Sequence, residues 1–424
     1  MTDEHHSWIH GGNLPSIRPH SVAKHRVTEN YLRRYVEVLT SNQRIPAFRL
    51  TLVDGFAGGG LYRDEITGEQ CFGSPLRMMR AMSEAKALSQ IGRKKEFNLD
   101  VEYLFIDKSF EHLSCLKASI ESSEYRDLIQ KDKVKLINGE FVDHVDAIVT
   151  RIKERRRGCR AIFVLDQFGY AAVPFPIIRK MLTGLSKAEI ILTFATDSLI
   201  NYLSTSDQTQ KLLANLGLEL SKDKIRTSKQ RADWRFAIQH FLHKEIFLKS
   251  GAKYYTPFFI RSKDANRDYW LIHLSNHSRA RDVMVGLHWS EKSTFSHFGR
   301  PGLEMLGYDP DLDSKITGQA YLFDDSAENS TIDSLMSELP ERLHRYPAEG
   351  VMFKQLFADI TNETPATSDI LKRGIAVLLE EGHLEVRDAT GLTQRQAGVQ
   401  HDTDVIKPMK QRKLFLPPGF SLND

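Results

Sequence analysis

The sequence is poor in cysteine: Cys71, Cys115 and Cys159 are the only three in 424 residues. They lie far apart, none belongs to a CxxC pair, and no Cys/His spacing matches a zinc site. That excludes a disulfide scaffold and a cysteine-based zinc module, and leaves three small residues in a reducing compartment. No apolar run approaches a membrane span. The N-terminal MTDEHHSWIHGG lacks an apolar signal core, so a cytoplasmic location is expected. His5, His6 and His10 read as part of a polar leader rather than a metal site. No GxxxxGK[ST] occurs, which argues against a P-loop ATPase, and the glycines do not follow the GxGxxG dinucleotide pattern. Internal repeats and low-complexity tracts are absent. Neither sign of charge dominates: 58 Lys and Arg against 55 Asp and Glu leave a net +3, which neither demands nor excludes a nucleic-acid partner.

What is present is a regular alternation. Pro15 and Pro19 are expected to stop helix in a flexible leader over 1–20. Val27, Tyr31, Leu32, Tyr35, Val38 and Leu39 then recur at helical spacing within 21–43. Five short apolar runs follow, RLTLVD, VEYLFID, KVKLIN, RAIFVLD and EIILTF, each but the last succeeded by a helical pattern. This argues for βαβ units with right-handed crossovers and a mostly parallel sheet. After a polar helical stretch over roughly 197–250, AKYYTPFFIRS and RDYWLIHLSN flank the turn residues KDAN and predict a β-hairpin. A helix is expected over SRARDVMVGLHW, and DDSAENSTIDS reads as a polar linker. Beyond Leu339, EGVMFKQLFADIT and TPATSDILKRGIAVLLEEG read as two helices. Thr364 is the expected N-cap of the second, Pro365 its first residue and Gly382 its stop. HLEVRDATG and KLFLP complete a pattern like a winged helix-turn-helix.

The chemistry is expected at the strand ends, because ligands of open α/β sheets bind outside the carboxyl ends of the strands. Val53-Asp54-Gly55-Phe56-Ala57-Gly58-Gly59-Gly60 joins the first strand to its helix, and its glycines permit a tight turn and close approach to a ligand. Asp107 ends the second strand, where an acid can accept hydrogen bonds from both ribose hydroxyls. Glu140 follows the third strand, where a first-turn acid is also favoured by the helix dipole. Asp166 ends the fourth, in Asp166-Gln167-Phe168-Gly169-Tyr170.

FAGGG after an apolar strand resembles the first S-adenosylmethionine (SAM)-binding motif of class I methyltransferases. The resemblance implies that Asp54, Phe56, Ala57, Gly58, Gly59 and Gly60 line the cofactor pocket, with Asp107 on the ribose and Glu140 near the adenine. Amino-directed methyltransferases carry an Asp/Asn-Pro-Pro-aromatic loop after strand four. By that likeness Asp166 would orient a target amine, and Phe168 or Tyr170 would stack on it. Catalysis would rest on positioning and desolvation rather than on a strong base. Cytosine-C5 methyltransferases place a Pro-Cys nucleophile in that loop; no cysteine stands there. Tyr31 and Tyr35, VDGFAGGG, Gly73-Ser74-Pro75-Leu76, Phe105-Ile106-Asp107 and Asp166-x-Phe168-Gly169 together resemble the three-Cys-motif partner proteins, over about residues 25–300. Gln167 stands where that family has proline. The family resemblance implies pairing with a second protein that carries a three-cysteine motif.

The expected architecture is a Rossmann-like class I methyltransferase sheet of five parallel strands plus a terminal hairpin, with a winged-helix-like end. The expected division is 1–20, a leader; 21–300, the methyltransferase-like domain; 301–338, a linker; 339–424, the winged helix. Arg155, Arg156 and Arg157, with Lys372 and Arg373 on the candidate recognition helix, are the candidate contacts to DNA or RNA. The leading expectation is methylation of a base amine in nucleic acid, the base being flipped if it lies in a duplex. A non-catalytic partner subunit and a winged-helix DNA-binding regulator are the alternatives.

Overall fold

Strands of a parallel sheet read as mainly apolar runs, because helices cover both of their faces. Five such runs form the centre of the protein in the computed structural model, which describes residues 8–9, 12–155, 159–232, 234–262, 267–291, 296–297, 301–303, 321–323 and 325–409. They are β1 (Ala47–Asp54), β2 (Asn98–Asp107), β3 (Val134–Asn138), β4 (Arg160–Leu165) and β5 (Lys187–Phe194). All pair in parallel, in the order β3-β2-β1-β4-β5. The hairpin β6 (Tyr254–Ser262) and β7 (Arg267–Ser275) completes the sheet. β7 runs antiparallel to β5, with Trp270 opposite Phe194, and β6 lies outside it. The order β3-β2-β1-β4-β5-β7-β6 is the class I methyltransferase sheet. Two-residue strands at Ser296–His297 and Tyr321–Leu322 extend its β6 edge. The KDAN turn lies outside the described residues.

Period-2 alternation along each strand divides the core into two halves. Val53, Leu104, Phe163, Ile190 and Trp270 face one side. They are covered by α4 (Phe141–Glu154), α5 (Phe175–Gly184) and α9 (Trp234–Ser250). Leu52, Phe105, Ile162 and Ile191 face the other, under α1 (Pro19–Thr40), α2 (Ser74–Gln90), α3 (Phe110–Glu121) and α10 (Ser278–Ser290). Between β5 and α9 the polar stretch forms three short helices, α6 (Thr196–Tyr202), α7 (Asp207–Leu216) and α8 (Lys222–Lys229).

Contrary to expectation, the described part of the first 20 residues is docked. Ser16–Ile17 pairs in parallel with Arg63–Asp64, and Trp8 and Ile17 are buried. Pro19 begins α1 instead of stopping helix, because a first-turn position needs no N–H and already suits proline's φ. α1 is fixed to the sheet by a buried cluster: the Tyr31 hydroxyl donates to Glu189 of β5, whose Oε2 also meets His273 Nε2 of β7 at 3.0 Å.

The chain divides into two compact units, Met1–Gly299 with Leu306–Asp324, and Arg300–Met305 with Asp325–Asp424. The second holds α11 (Asp325–Leu343), α12 (Phe353–Ile360) and α13 (Ser368–Glu380). Its small sheet has β10 (Val405–Pro408) between β8 (Val351–Met352) and β9 (Leu384–Arg387), antiparallel to both. The polar stretch taken as a linker is the start of α11, whose Thr331, Leu335, Leu339 and Leu343 are buried at four-residue spacing. The N-cap of α13 is Thr367, whose hydroxyl accepts from Ile370 N, while Thr364 accepts from Ala366 N in the preceding turn. Gly382, at φ 74°, follows the end of α13, as its position in the sequence suggests. KLFLP lies outside the described residues; the strand partner of β9 is Val405–Pro408.

Candidate functional site

The sheet order reverses between β1 and β4, so the loops after these strands diverge and leave a crevice. Asp54 closes β1 with no exposed surface. Its Oδ1 accepts from Phe56 N at 3.0 Å and its Oδ2 from the Ser74 hydroxyl at 2.5 Å. Burial pushes its pKa up to about 7 in spite of those hydrogen bonds, with Asp166 and Asp107 adding to the rise. Ser74 is thus the first-turn residue of α2 that ties the GSPL segment to the strand end.

The glycine loop is tied to its neighbours by backbone contacts. Ala57 N donates to Ile106 O at 2.9 Å and Gly73 N to Gly60 O at 2.8 Å. Gly58, at φ 60°, donates its N–H to Asp107 Oδ2 at 2.9 Å. Asp107 Oδ1 takes Ser109 N at 2.8 Å and faces His112 Nδ1 at 3.1 Å. Burial alone would raise this carboxyl; His112, Ser109 N and Gly58 N together hold it below the usual carboxylate range. The expected ribose acid therefore stays ionised and is joined to the glycine loop through one backbone N–H. Glu140 is exposed at the N-cap of α4 and makes no side-chain cap bond. Phe56 is half-buried against Phe141, with ring centroids 6.5 Å apart.

One residue absent from the sequence reading stands on this loop. A Cβ on Gly58 would lie 2.7 Å from the Trp8 ring, and one on Gly59 would overlap it. The indole N–H donates to Leu61 O at 2.6 Å. Tyr62 and His112 meet the indole edge to face, with centroids 4.9 and 4.8 Å away.

Asp166, after β4, lines a small pocket in which Lys24, His25 and Glu29 of α1, Ser74 and Arg77 of α2, and Thr193 of β5 meet the apolar side chains of Leu32, Met78, Val164, Ile191 and Leu271. Lys24 Nζ sits 2.5 Å from Asp166 Oδ1, and His25 Nε2 lies 3.9 Å from Oδ2. Burial raises the Asp166 carboxyl, but Lys24, His25 and the Thr193 hydroxyl outweigh it and hold it below the usual range. His25 is pushed down to about 4 by burial, against the pull of Asp166, so its ring is neutral near pH 7. Its Nδ1 has no hydrogen-bond partner among the described residues. Glu29 is held by Arg77 at 3.0 Å and Arg80 at 2.5 Å.

Of the three residues expected to act in the strand-four loop, Asp166 alone lines this pocket. Phe168 is 84% exposed. Tyr170 packs against the core beside Phe194, at a centroid distance of 6.3 Å. Gln167 is buried and accepts a hydrogen bond from Val173 N at 3.0 Å, which staples the loop inward. That turns the next side chain, Phe168, outward.

The expected phosphate contacts are engaged elsewhere or undescribed. Arg155 bonds Leu50 O and Thr51 Oγ1 and pairs with Asp100 and Glu102, so it braces the start of β1 and β2. Arg156 and Arg157 lie outside the described residues. In the second unit Lys372 rests over the Phe353 ring at 5.1 Å, and exposed Arg373 pairs with Glu328 at 2.5 Å. Among the described residues no group of side chains could hold a metal ion, and no helix is long and apolar enough to cross a membrane.

Lys24, His25, Glu29, Arg77 and Trp8 were not singled out from sequence, since each reaches the site from a distant point of the chain. The amphipathic pattern of α1 pointed to packing but not to which polar residues meet the strand ends.

Sheet order, glycine loop and strand-end acids define a methyltransferase-fold protein with a C-terminal winged-helix module. A family profile, the GMT-like wHTH domain, matches residues 307–391. No curated protein matches the chain. Among solved structures, Trm1 from Pyrococcus horikoshii in complex with SAM is 13% identical over 89% of each chain, with a TM-score of 0.30. The human methyltransferase 10 domain containing protein is 9% identical over 58% of this chain and 80% of its own, with a TM-score of 0.25. The plantazolicin methyltransferase BamL, in complex with S-adenosylhomocysteine (SAH), is 10% identical over 61% and 88%, also with a TM-score of 0.25.

Proposed function

We propose that this chain is a SAM-dependent methyltransferase of the three-Cys-motif partner type, methylating an amine on a nucleic-acid base together with a second protein. The observation that carries the cofactor reading is the direct link from Gly58 N to Asp107 Oδ2 at the reversal of the sheet. It puts the glycine backbone and an ionised acid side by side, the arrangement a nucleoside with a vicinal diol requires. When bound, SAM supplies an electrophilic methyl group. Asp107 accepts the ribose hydroxyls, the 56–60 backbone lies along the amino-acid arm, Asp54 flanks the strand end, and Glu140 sits toward the base. Asp166 is the acid placed to orient an amine, provided Lys24 gives up its carboxylate. The winged-helix match supports nucleic acid as the substrate class, because such modules seat a helix in a groove.

A second reading is favoured by two observations: Lys24 already fills the amine position on Asp166, and Phe168 lies outside the pocket. On that reading the chain binds cofactor without transferring methyl groups and serves as a partner subunit.

Thermal unfolding with and without SAH tests the cofactor site. Ligand at a hundredfold excess over Kd adds about 2.7 kcal/mol of stability, a shift of several degrees. Labelled-methyl transfer to DNA and RNA then separates the two readings. A shift with no transfer, with or without the three-cysteine protein, leaves the partner-subunit reading standing. No shift in either state removes the cofactor assignment.

A further inference from the structure

The glycine loop is the part of this fold whose backbone must be open to a ligand, yet its face is covered. Trp8 is buried, and its ring occupies the space that side chains at Gly58 and Gly59 would fill. The distance separates two explanations. A ring that roofed a bound ligand would stand off the loop by about one further layer, roughly 3.5 Å more than contact. The indole instead touches both glycines, and its N–H is fixed to Leu61 O at 2.6 Å. Its other walls, Tyr62 and His112, belong to the same site, and His112 meets Asp107, the proposed ribose acid. A slot of two glycines between two aromatic edges, with a carbonyl acceptor at one end, suits a flat ring carrying an N–H donor.

We propose that Trp8 is an intramolecular competitor for the cofactor: the indole and an adenosyl ligand take the same face of the glycine loop, and binding requires Trp8 to leave. This rests on the SAM reading above. Ligand affinity in the intact chain is then reduced by the fraction of molecules with the indole out of its slot.

The test is titration calorimetry of SAH against the full chain, Trp8→Ala and Trp8→Phe. Trp8→Ala is expected to bind about tenfold tighter or more, with Trp8→Phe between it and the parent chain because the phenyl ring lacks the bond to Leu61 O. The chain has four tryptophans, so 5-fluorotryptophan labelling gives few resonances, and the one lost in Trp8→Ala is Trp8. In the parent chain SAH should move that resonance to the position of an exposed indole. Equal or weaker SAH binding by Trp8→Ala, or an unmoved resonance at saturation, overturns the competition while leaving the cofactor site in place. SAH binding to none of the three chains overturns the cofactor reading and this proposal with it.

Discussion

Asp54 and His25 are buried near the same strand ends, and their protonation shifts act on stability with opposite sign. Asp54 titrates at about 7 in the fold against 3.8 in a free chain. Between those values the native protein holds a proton the unfolded chain has released, so this residue lowers stability as pH rises through the window and is level above it. His25 falls to about 4 from 6.5. There the unfolded chain binds the extra proton, so His25 contributes stability above about 6.5 that is lost as pH falls toward 4. Across the overlap the two slopes oppose one another, and the parent chain should show a shallow profile. Urea titrations of Asp54→Asn across this range should show a stability that rises with pH relative to the parent, on the order of 1 kcal/mol per unit. His25→Gln should fall relative to the parent over the His window. A profile unchanged by Asp54→Asn would mean the carboxyl is ionised and solvated in the fold. Asp107 is the residue on which the cofactor reading turns. Asp107→Asn keeps an acceptor for Gly58 N but loses the charge, and SAH affinity should drop by about 10- to 100-fold, as expected for charged hydrogen bonds. Unchanged affinity by calorimetry would take the ribose off Asp107.

At the scale of elements, α1 is held by a polar anchor as well as by its apolar stripe. Tyr31→Phe removes the donor to Glu189 and leaves a buried carboxylate with His273 as its remaining named partner. Loss of about 1–3 kcal/mol is expected from denaturant unfolding. A change near zero would show the hydroxyl to be already paid for by desolvation. In the second unit Thr367→Ala should cost about 1 kcal/mol and Thr364→Ala less, since only Thr367 caps α13. The same elements show what the sequence made legible. Strands of a covered sheet declare themselves as short, mainly apolar runs between helical patterns, so β1–β5 and the hairpin could be read directly. α11 could not: its buried positions begin at Thr331, and the first turns, rich in Ser, Asp, Glu and Asn, resemble a loop. The N-cap of α13 was misplaced by three residues because Thr364-Pro365 and Thr367-Ser368 offer the same local chemistry, and only the fold decides which threonine meets a free N–H. At the site, the glycine loop and the strand-end acids are local signals. The Lys24–Asp166 pair spans 142 residues and Trp8 lies some 50 residues before the loop it covers. Neither pairing has a local signature.

For the molecule as a whole, a net charge of +3 over 424 residues supplies little long-range field, so any affinity for nucleic acid must come from local cations. On the candidate recognition helix those are Lys372 and Arg373, and neither stands idle. Lys372 lies on the Phe353 ring, and Arg373 spends its charge on Glu328, which comes from α11 of the same unit. If α13 meets phosphates, Glu328 competes with them for Arg373. Arg373→Gln should then weaken binding about equally across sequences and lower the slope of log K against log salt by about one. Glu328→Gln should do the reverse, strengthening binding because the guanidinium is released without loss of its charge. The pair is half exposed, so its removal should change stability by no more than about 1 kcal/mol, and both variants can be compared as folded proteins. Fluorescence anisotropy with labelled DNA and RNA at several salt concentrations measures all three chains. Opposite shifts in the two variants place nucleic acid on α13. Identical affinities and slopes in all three chains would take Arg373 and Glu328 out of any contact with nucleic acid.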